Sequence, residues 1–428
     1  MMAREYKDSG IEWIGKIPKK WKTERIKALF SERNERDCQG RTLLSVSQYF
    51  GIRPKSETDL ADSHIAESYD DYKEVHIGDF VMNIMLAWNG SYAVSDYDGI
   101  VSPAYCVFKF RKDCCKKYFH YLLRTDGYPS AFKTMSRGVI DSRLRLYPEQ
   151  FYTFPVIIPP SEEQQHIADF LDKKCGEIDE LIALQEQMIA QLTDYKQSVI
   201  TEAVTKGLNP DAELVPSGID YIGDIPKNWN GCAPLKRFTE IILGKMLQSN
   251  ASNNDETMEQ YICAKDVHFD GIDYSDLKRM YFSNYEKKQY KVHKGDMLVV
   301  EGGAGAAGSA IVEKDIQDVY IQNSIMIVRP LNDFSIKFSR YVLFSIVSRG
   351  YVDYICNKAT IPHFTKEKLS GTIIPIPPVS EQHAIATYLD TKCSEIDSLI
   401  AIKQQKIETL KDYKKSVIFE AVTGKMTV

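Results

Sequence analysis

The sequence predicts an α+β protein made by internal tandem duplication: two similar mixed, strand-rich domains joined by a long antiparallel two-helix coiled coil. The first observation behind this is a repeat, in which residues 159–205 align without a gap onto 377–423 with 29 of 47 positions identical. A shorter repeat pairs SGIEWIGKIPKKW (Ser9 to Trp21) with SGIDYIGDIPKNW (Ser217 to Trp229), 9 of 13 identical. Matches this dense mean one structural plan used twice. The second observation is an apolar stripe at helical spacing inside the longer repeat. The third is a set of β-branched and aromatic runs, broken by turns, in the two blocks between the repeats.

In chain order, the plan places a first domain at residues 1–160, a central helix at 161–208, a second domain at 209–378 and a C-terminal helix at 379–428. In the first block TLLSVSQYFGI, GDFVMNIMLAW, YAVSDYDGIVSPAYCVFKF and FYTFPVIIPP read as strands, and YFHYLLRTDGYPSAF as a helical interlude. In the second, EQYICAKDVHFDGI, GDMLVVEGG, AIVEKDIQDVYIQNSIMIVRP and GTIIPIPP take the corresponding places, with FSRYVLFSIVSRGYV helical. The closing helices rest on Ile167, Leu171, Ile178, Ile182, Ile189, Leu192, Tyr195 and Val199, identical in both copies and spaced to share one helix face. Pro160, with Ser161 three residues before Gln164, supplies a start signal of the capping-box kind. No proline interrupts either run, so each helix can extend about 45 residues, roughly 65 Å at 1.5 Å per residue. A stripe that narrow seeks a partner helix. The other copy offers one, with Leu171, Ile178, Ile182 and Leu192 set against Leu389, Ile396, Ile400 and Leu410. The short linker 207–216 keeps the second block near the end of the first helix, which favours an antiparallel pair with one block at each end.

At 428 residues, 43% hydrophobic, 26% charged and 11% aromatic, the composition excludes wholesale disorder and suits two or three domains. No apolar run approaches the roughly 18 residues of a membrane helix, and MMAREYKDSG lacks an apolar signal region, so a soluble cytoplasmic protein is expected. The nine cysteines form no CxxC pair, which suggests neither a disulfide framework nor a zinc site. A net charge of −5 argues superficially against nucleic acid, whose phosphates demand Lys and Arg. The charge is unevenly spread, however. Residues 1–160 carry 24 basic and 21 acidic side chains, residues 161–208 carry 4 and 10, and residues 209–376 carry 19 and 21. The acid excess is concentrated in the central helix, which need not touch a polyanion.

The motifs that tempt a catalytic reading fail on context. GGAGAAG, Gly302 to Gly308, contains GxGxxG after an apolar strand, but a dinucleotide or S-adenosylmethionine site needs a helix next, and Ser309 to Val312 reads as another strand. A hairpin loop whose glycine backbone can lie close to a DNA groove is the reading that survives. Methyl transfer to a DNA base needs an Asn or Asp-Pro-Pro-aromatic loop, for which Ser102, Pro103, Ala104 and Tyr105 are a poor imitation. Nuclease chemistry needs clustered carboxylates with a lysine around magnesium, and Asp211 and Glu213 lie in the linker without one. His76 and His293 recur beside Gly-Asp pairs without metal spacing and read as structural, as do Cys175 and Cys393. No active site and no metal site are expected.

The motifs and their order, from SGIEWIGKIPKKW and SGIDYIGDIPKNW through GDFVMN and GDMLVV to the boundaries IIPPSEEQQHIADFLD and IPPVSEQHAIATYLD and the helix ends DYKQSVITEAVT and DYKKSVIFEAVT, resemble the specificity subunit of type I restriction-modification systems over essentially the whole chain. The resemblance implies two target recognition domains, each for one half of a bipartite double-stranded DNA target, and a coiled coil acting as a ruler. It implies two methyltransferase subunits that bring S-adenosylmethionine and motor-endonuclease subunits that bring ATP and magnesium. On this reading the chain itself is not an enzyme and holds no cofactor. A stand-alone DNA methyltransferase and a coiled-coil adaptor without DNA binding are the alternatives.

Base-reading residues are expected in loops between framework strands, since Gln and Asn can address adenine, and Arg or Lys guanine, in the major groove. In the first domain these are Gln48, Tyr49, Arg53, Lys55, Trp88, Asn89, Arg137 and Arg143. In the second they are Lys245, Gln248, Lys265, the 302–308 loop with Gly303 and Gly305, Lys358, Thr360 and His363.

Overall fold

Each strand-rich block closes on itself before handing the chain to a long helix. The computed structural model describes residues 4–36, 41–58, 69–111, 113–269, 271–303, 305–356 and 363–428. Two compact units result, Met1–Glu186 with Gln405–Val428, and Gln187–Gln404. The long helices span Ser161–Lys206 and Val379–Val422, so each contributes its two ends to different units. Among the described residues no helix is long and apolar enough to cross a membrane.

The first unit is built on a four-stranded antiparallel sheet in the order Phe30–Arg33, Tyr105–Phe110, Phe80–Asn83, Tyr92–Val94. The second unit repeats that order with Thr239–Leu243, Ile325–Pro330, Met297–Val300 and Ser309–Ile311. An early strand closes each block by pairing with the strand before its long helix: Lys22–Arg25 with Pro155–Ile158, and Cys232–Pro234 with Ile373–Pro375. The expected helical interludes are Lys116–Leu123 with Gly127–Met135, and Ile336–Ser348 with Tyr351–Ile355. Phe30, Phe80, Phe108, Tyr92, Phe132 and Phe151 fill the first core, with Phe80 and Phe151 stacked at 5.7 Å.

The recurring Gly-Asp pair is a framework turn. Gly78 and Gly295 take φ near +90° (88° and 90°), and the buried carboxylates of Asp79 and Asp296 accept the backbone N–H of His76 and His293 at 3.0 and 2.8 Å. An arginine from the same sheet completes each, Arg33 Nε to Asp79 at 2.8 Å and Arg329 Nε to Asp296 at 2.8 Å. The SGIxxIGxIPKxW motif also has a packing role. Ile11, Ile14, Ile17 and Trp21 are buried with Ile167, Leu171, Val417, Ala421 and Val422. The Trp21 indole donates to Glu163 at 2.8 Å, and a side chain at Gly424, where φ is 70°, would meet Pro18 and Trp21.

Within each unit the two helix segments run in opposite directions. In the first, Trp21 brings Glu163 beside the Gly424 end, and Lys414 donates to Asp179 at 2.7 Å. In the second, the Gly207 end meets Glu381, and Lys196 donates to Asp397 at 2.7 Å. Of the expected pairing residues, Leu171, Ile178, Leu389 and Ile396 are buried, whereas Ile182, Leu192, Ile400 and Leu410 are half-buried. Tyr195, placed on that stripe by its identity in both copies, is instead exposed, and Gln185 is buried with its side-chain oxygen unpartnered among the described residues.

Identical polar fasteners bind each block to its helix. Asp172 accepts from Lys117 Nζ at 2.5 Å and from the Tyr121 hydroxyl at 2.8 Å; Asp390 accepts from Lys337 at 2.7 Å and Tyr341 at 2.8 Å. Gln164, expected in a capping box, reaches out of the helix instead. Its carbonyl accepts the Cys115 N–H at 3.1 Å and its amide donates to the Pro159 carbonyl at 2.8 Å, while Gln382 does the same with Ser335 and Pro377. Each buried amide thereby satisfies both its donor and its acceptor at the join between helix and domain.

Candidate nucleic-acid interface

In the first unit, several of the expected residues gather at one end of the sheet. Strands Leu44–Ser47 and Gly51–Pro54 form a hairpin that carries Gln48 and Tyr49 at its tip, and Tyr49 is 86% exposed. The loop leaving Phe80–Asn83 turns through a short helix, Ala87–Asn89, against which Gly127–Met135 packs. Trp88 donates to the Met85 carbonyl at 3.0 Å and lies 5.0 Å below the Lys133 ammonium, which fixes the ring while leaving it partly open. Asn89 spends its carbonyl oxygen on Ser91, at 3.2 Å to the backbone and 2.7 Å to the hydroxyl, so its oxygen serves the loop rather than a base.

Sequence reasoning missed the residue that joins these pieces. Arg124 is half-buried and donates to the carbonyls of Gln48, Gly90 and Tyr92, tying the hairpin tip to the Trp88 loop. Burial lowers its guanidinium pKa, against a weaker opposing effect of Tyr92. Nothing in its sequence neighbourhood marks it, because all three acceptors are backbone atoms from other segments. Beside it lies the half-buried His120, whose pKa desolvation, with the Arg124 charge, lowers to about 4.

Arg53, Arg137 and Arg143 are exposed, and none forms an ion pair among the described residues. Arg53 lies 5.6 Å from the Phe50 ring, and Lys55 is half-buried in the turn Lys55–Glu57. Cations of this kind can serve phosphates or base edges.

The second unit treats its expected residues unequally. The Gly302–Gly308 loop joins Met297–Val300 to Ser309–Ile311, the antiparallel hairpin that the sequence predicts, and a strand rather than a helix follows it. Gly303 sits at φ 94° and Ala307 at 65°, and Ala307 N–H bonds the Val300 carbonyl at 2.9 Å. His363 pairs with Gly302 as an isolated bridge, and its Nδ1 lies 3.5 Å from Glu301, so the exposed imidazole and the glycine backbone form one surface. Lys358 and Thr360 lie outside the described residues.

Three placements change. Lys245 is buried, with its ammonium 2.5 Å from Glu286, 2.9 Å from the Tyr281 carbonyl and 5.3 Å from the Phe282 ring, so its charge is engaged inside the domain. Burial raises the Glu286 pKa, but hydrogen bonds from Lys245 and Ser283 outweigh it and leave the carboxyl below the usual range. Gln248 is spent on Asn250, Ser252 and Glu256 within its own loop. Lys265 is exposed but bonded to Asp276 at 3.3 Å.

The two loops are structural equivalents. Asn83 N–H bonds the Ser91 carbonyl as Val300 bonds Gly308, and Leu146 N–H bonds the Ile84 carbonyl as Phe364 bonds Glu301. Glu35, Glu74 and His76 approach closely enough to hold a cation, an arrangement their spacing in sequence does not suggest. Arg33 and Arg41 already neutralise the two carboxylates at 2.5 Å each.

Comparison with known proteins also finds one domain used twice. A family model for the type I restriction modification DNA specificity domain matches residues 18–194 and 226–412. The chain belongs to this family. It carries two DNA specificity domains in tandem. The MjaVIII type I restriction enzyme specificity subunit of Methanocaldococcus jannaschii is 26% identical over 367 residues, 81% of this chain and 79% of that protein. A chain solved in work on complex assembly and conformational transition of the type I R-M system aligns with a TM-score of 0.70 at 17% identity, over 96% of this chain and 99% of its own. The HsdS subunit from Thermoanaerobacter tengcongensis aligns at 0.53 and 16%, over 96% and 98%. At these identities the structures speak for the fold.

Proposed function

We propose that this specificity-family chain reads a bipartite double-stranded DNA target, each unit addressing one half-site, with the paired helices setting the distance between them. The observation that carries this reading is one sheet order and one polar fastener used twice beneath different loops, Trp88–Asn89 in one unit and Gly302–Gly308 in the other. Shared framework with divergent loops suits two ligands of one chemical class, and paired modules on a rigid spacer read half-sites at a fixed separation. A continuous antiparallel coiled coil is the spacer. The opposed helix segments within each unit support it, since going from Asp179 to Lys196 advances 17 residues while their partners Lys414 and Asp397 go back 17 (196 − 179 and 414 − 397).

The helices also offer a docking surface for two copies of one partner. Leu181, Leu184 and Tyr413 are exposed in the first unit, and their repeat equivalents Leu399, Ile402 and Tyr195 are exposed in the second. Apolar side chains kept exposed in both copies suit a protein contact, and two methyltransferase subunits are the partners that fit. Methyl transfer, with S-adenosylmethionine, then belongs to those subunits, and DNA cleavage, with ATP and magnesium, to motor-endonuclease subunits. The chain purified alone neither methylates nor cuts DNA on this reading.

Selection from random DNA by the complex with its methyltransferase tests the function. A split consensus of two defined segments around an undefined gap of constant length is the expected result. Equal recovery of all sequences would overturn it.

A further inference from the structure

The loop Arg137–Arg145 carries more than its arginines. Its ends are clasped by two backbone hydrogen bonds, Arg137 N–H to the Arg145 carbonyl and the reverse, both 2.9 Å. Inside the clasp Asp141–Arg143 forms a 3-10 turn, with Arg143 N–H bonded to the Ile140 carbonyl at 2.8 Å. Gly138 passes so close to the Arg143 carbonyl that a Cβ would lie 2.5 Å from it. Lys133 holds Asp141 at 2.8 Å, and the root is anchored by buried Leu144 and Leu146, the latter bonded to the Ile84 carbonyl at 2.9 Å. The loop is thus preformed.

Its apex is aliphatic. Val139 is 98% exposed and Ile140 54%, an adjacent β-branched pair with restricted side-chain torsions that loses little freedom on insertion. Exposed Arg137 and Arg143 flank the pair without an ion pair among the described residues. Aliphatic groups cannot read the hydrogen-bonding edges of bases. A stiff apolar apex between unpaired cations therefore complements a polymer whose apolar stack lies between rails of phosphate.

We propose that the Val139–Ile140 apex wedges between two stacked base pairs of the half-site read by the first unit, unstacking and bending the DNA there, while Arg137 and Arg143 hold the flanking phosphates. This rests on the DNA-reading function proposed above and adds to it a mode of recognition through deformability, which distinguishes flexible pyrimidine–purine steps from stiff ones without touching a base edge.

The test uses the complex with its methyltransferase on selected target DNA, with 2-aminopurine moved through that half-site at every position except the methylated adenine, and end labels that report bending by energy transfer. Wild type should brighten one step and bend the DNA. Val139→Ser with Ile140→Ser should abolish both signals and weaken target binding by about ten-fold or more, leaving preference at the other half-site intact. Arg137→Ala with Arg143→Ala should weaken binding to all sequences and reduce the salt dependence by about two phosphate contacts while keeping the brightened step. The proposal fails if the serine variant retains both signals, or if its defect is loss of methyltransferase assembly without DNA. Should wild type select no sequence at all, the DNA-reading function falls, and the wedge with it.

Discussion

Desolvation decides what His120 and Lys245 do, and for Lys245 it does so against the sequence reading, which set that lysine at the DNA. His120 has a folded pKa of about 4, below the ordinary value of about 6.5. As the pH falls the unfolded chain takes up this proton first, so stability drops between about pH 6.5 and pH 4 and then levels. The loss should approach about 3 kcal/mol, and urea unfolding of wild type and His120→Asn at pH 7 and 4.5 should show it only in wild type. Lys245 is the opposite case, a cation that belongs to the fold. Lys245→Ala removes the ammonium that Glu286 and the Tyr281 carbonyl share, leaving Glu286 only the Ser283 N–H, and should cost about 3 kcal/mol, read by chemical unfolding, while the complex selects the same DNA. A changed target with unchanged stability would make Lys245 a reading residue after all.

At the scale of elements, the fasteners predict local effects. Asp172→Ala strips the partner from the half-buried Tyr121 hydroxyl, whose pKa is raised by desolvation and by Asp172, and should cost about 1 kcal/mol. Hydrogen exchange should then quicken in Lys116–Leu123 with Ile336–Ser348 unchanged, and Asp390→Ala should do the reverse. Quickening in both helices, or in neither, would deny the fasteners this role. The long helices were legible in the sequence because repeat identity and helical period agreed on the same residues. Yet identity has several causes: Leu171 is kept as core, Gln164 and Asp172 as fasteners, and Tyr195 is kept though exposed. Periodicity separates only the first from the rest, since the fasteners' partners, Lys117 and Tyr121, lie in the variable block. The candidate interface was legible in part. Loops after framework strands drew attention to Trp88, His363 and the glycine run, whereas Arg124 works through backbone carbonyls, which no side-chain pattern announces. Lys245 and Gln248 look solvated in sequence because their partners, Glu286 and Glu256, reach them only through folding.

For the whole molecule, two DNA specificity domains of one framework and two long helices make a single claim: separation in DNA is set by length in protein. Point substitutions cannot isolate it, because they alter affinity and folding together. A change of length can. Inserting seven residues in each helix, near Gln187 and Gln405, keeps the apolar stripe facing its partner and lengthens the rod by about 10 Å, or about three base pairs at 3.4 Å each. Selection from random DNA by the complex carrying both insertions should recover the same two half-sites with the gap enlarged by about three base pairs. Recovery of the original gap by a stable, active complex would contradict the account.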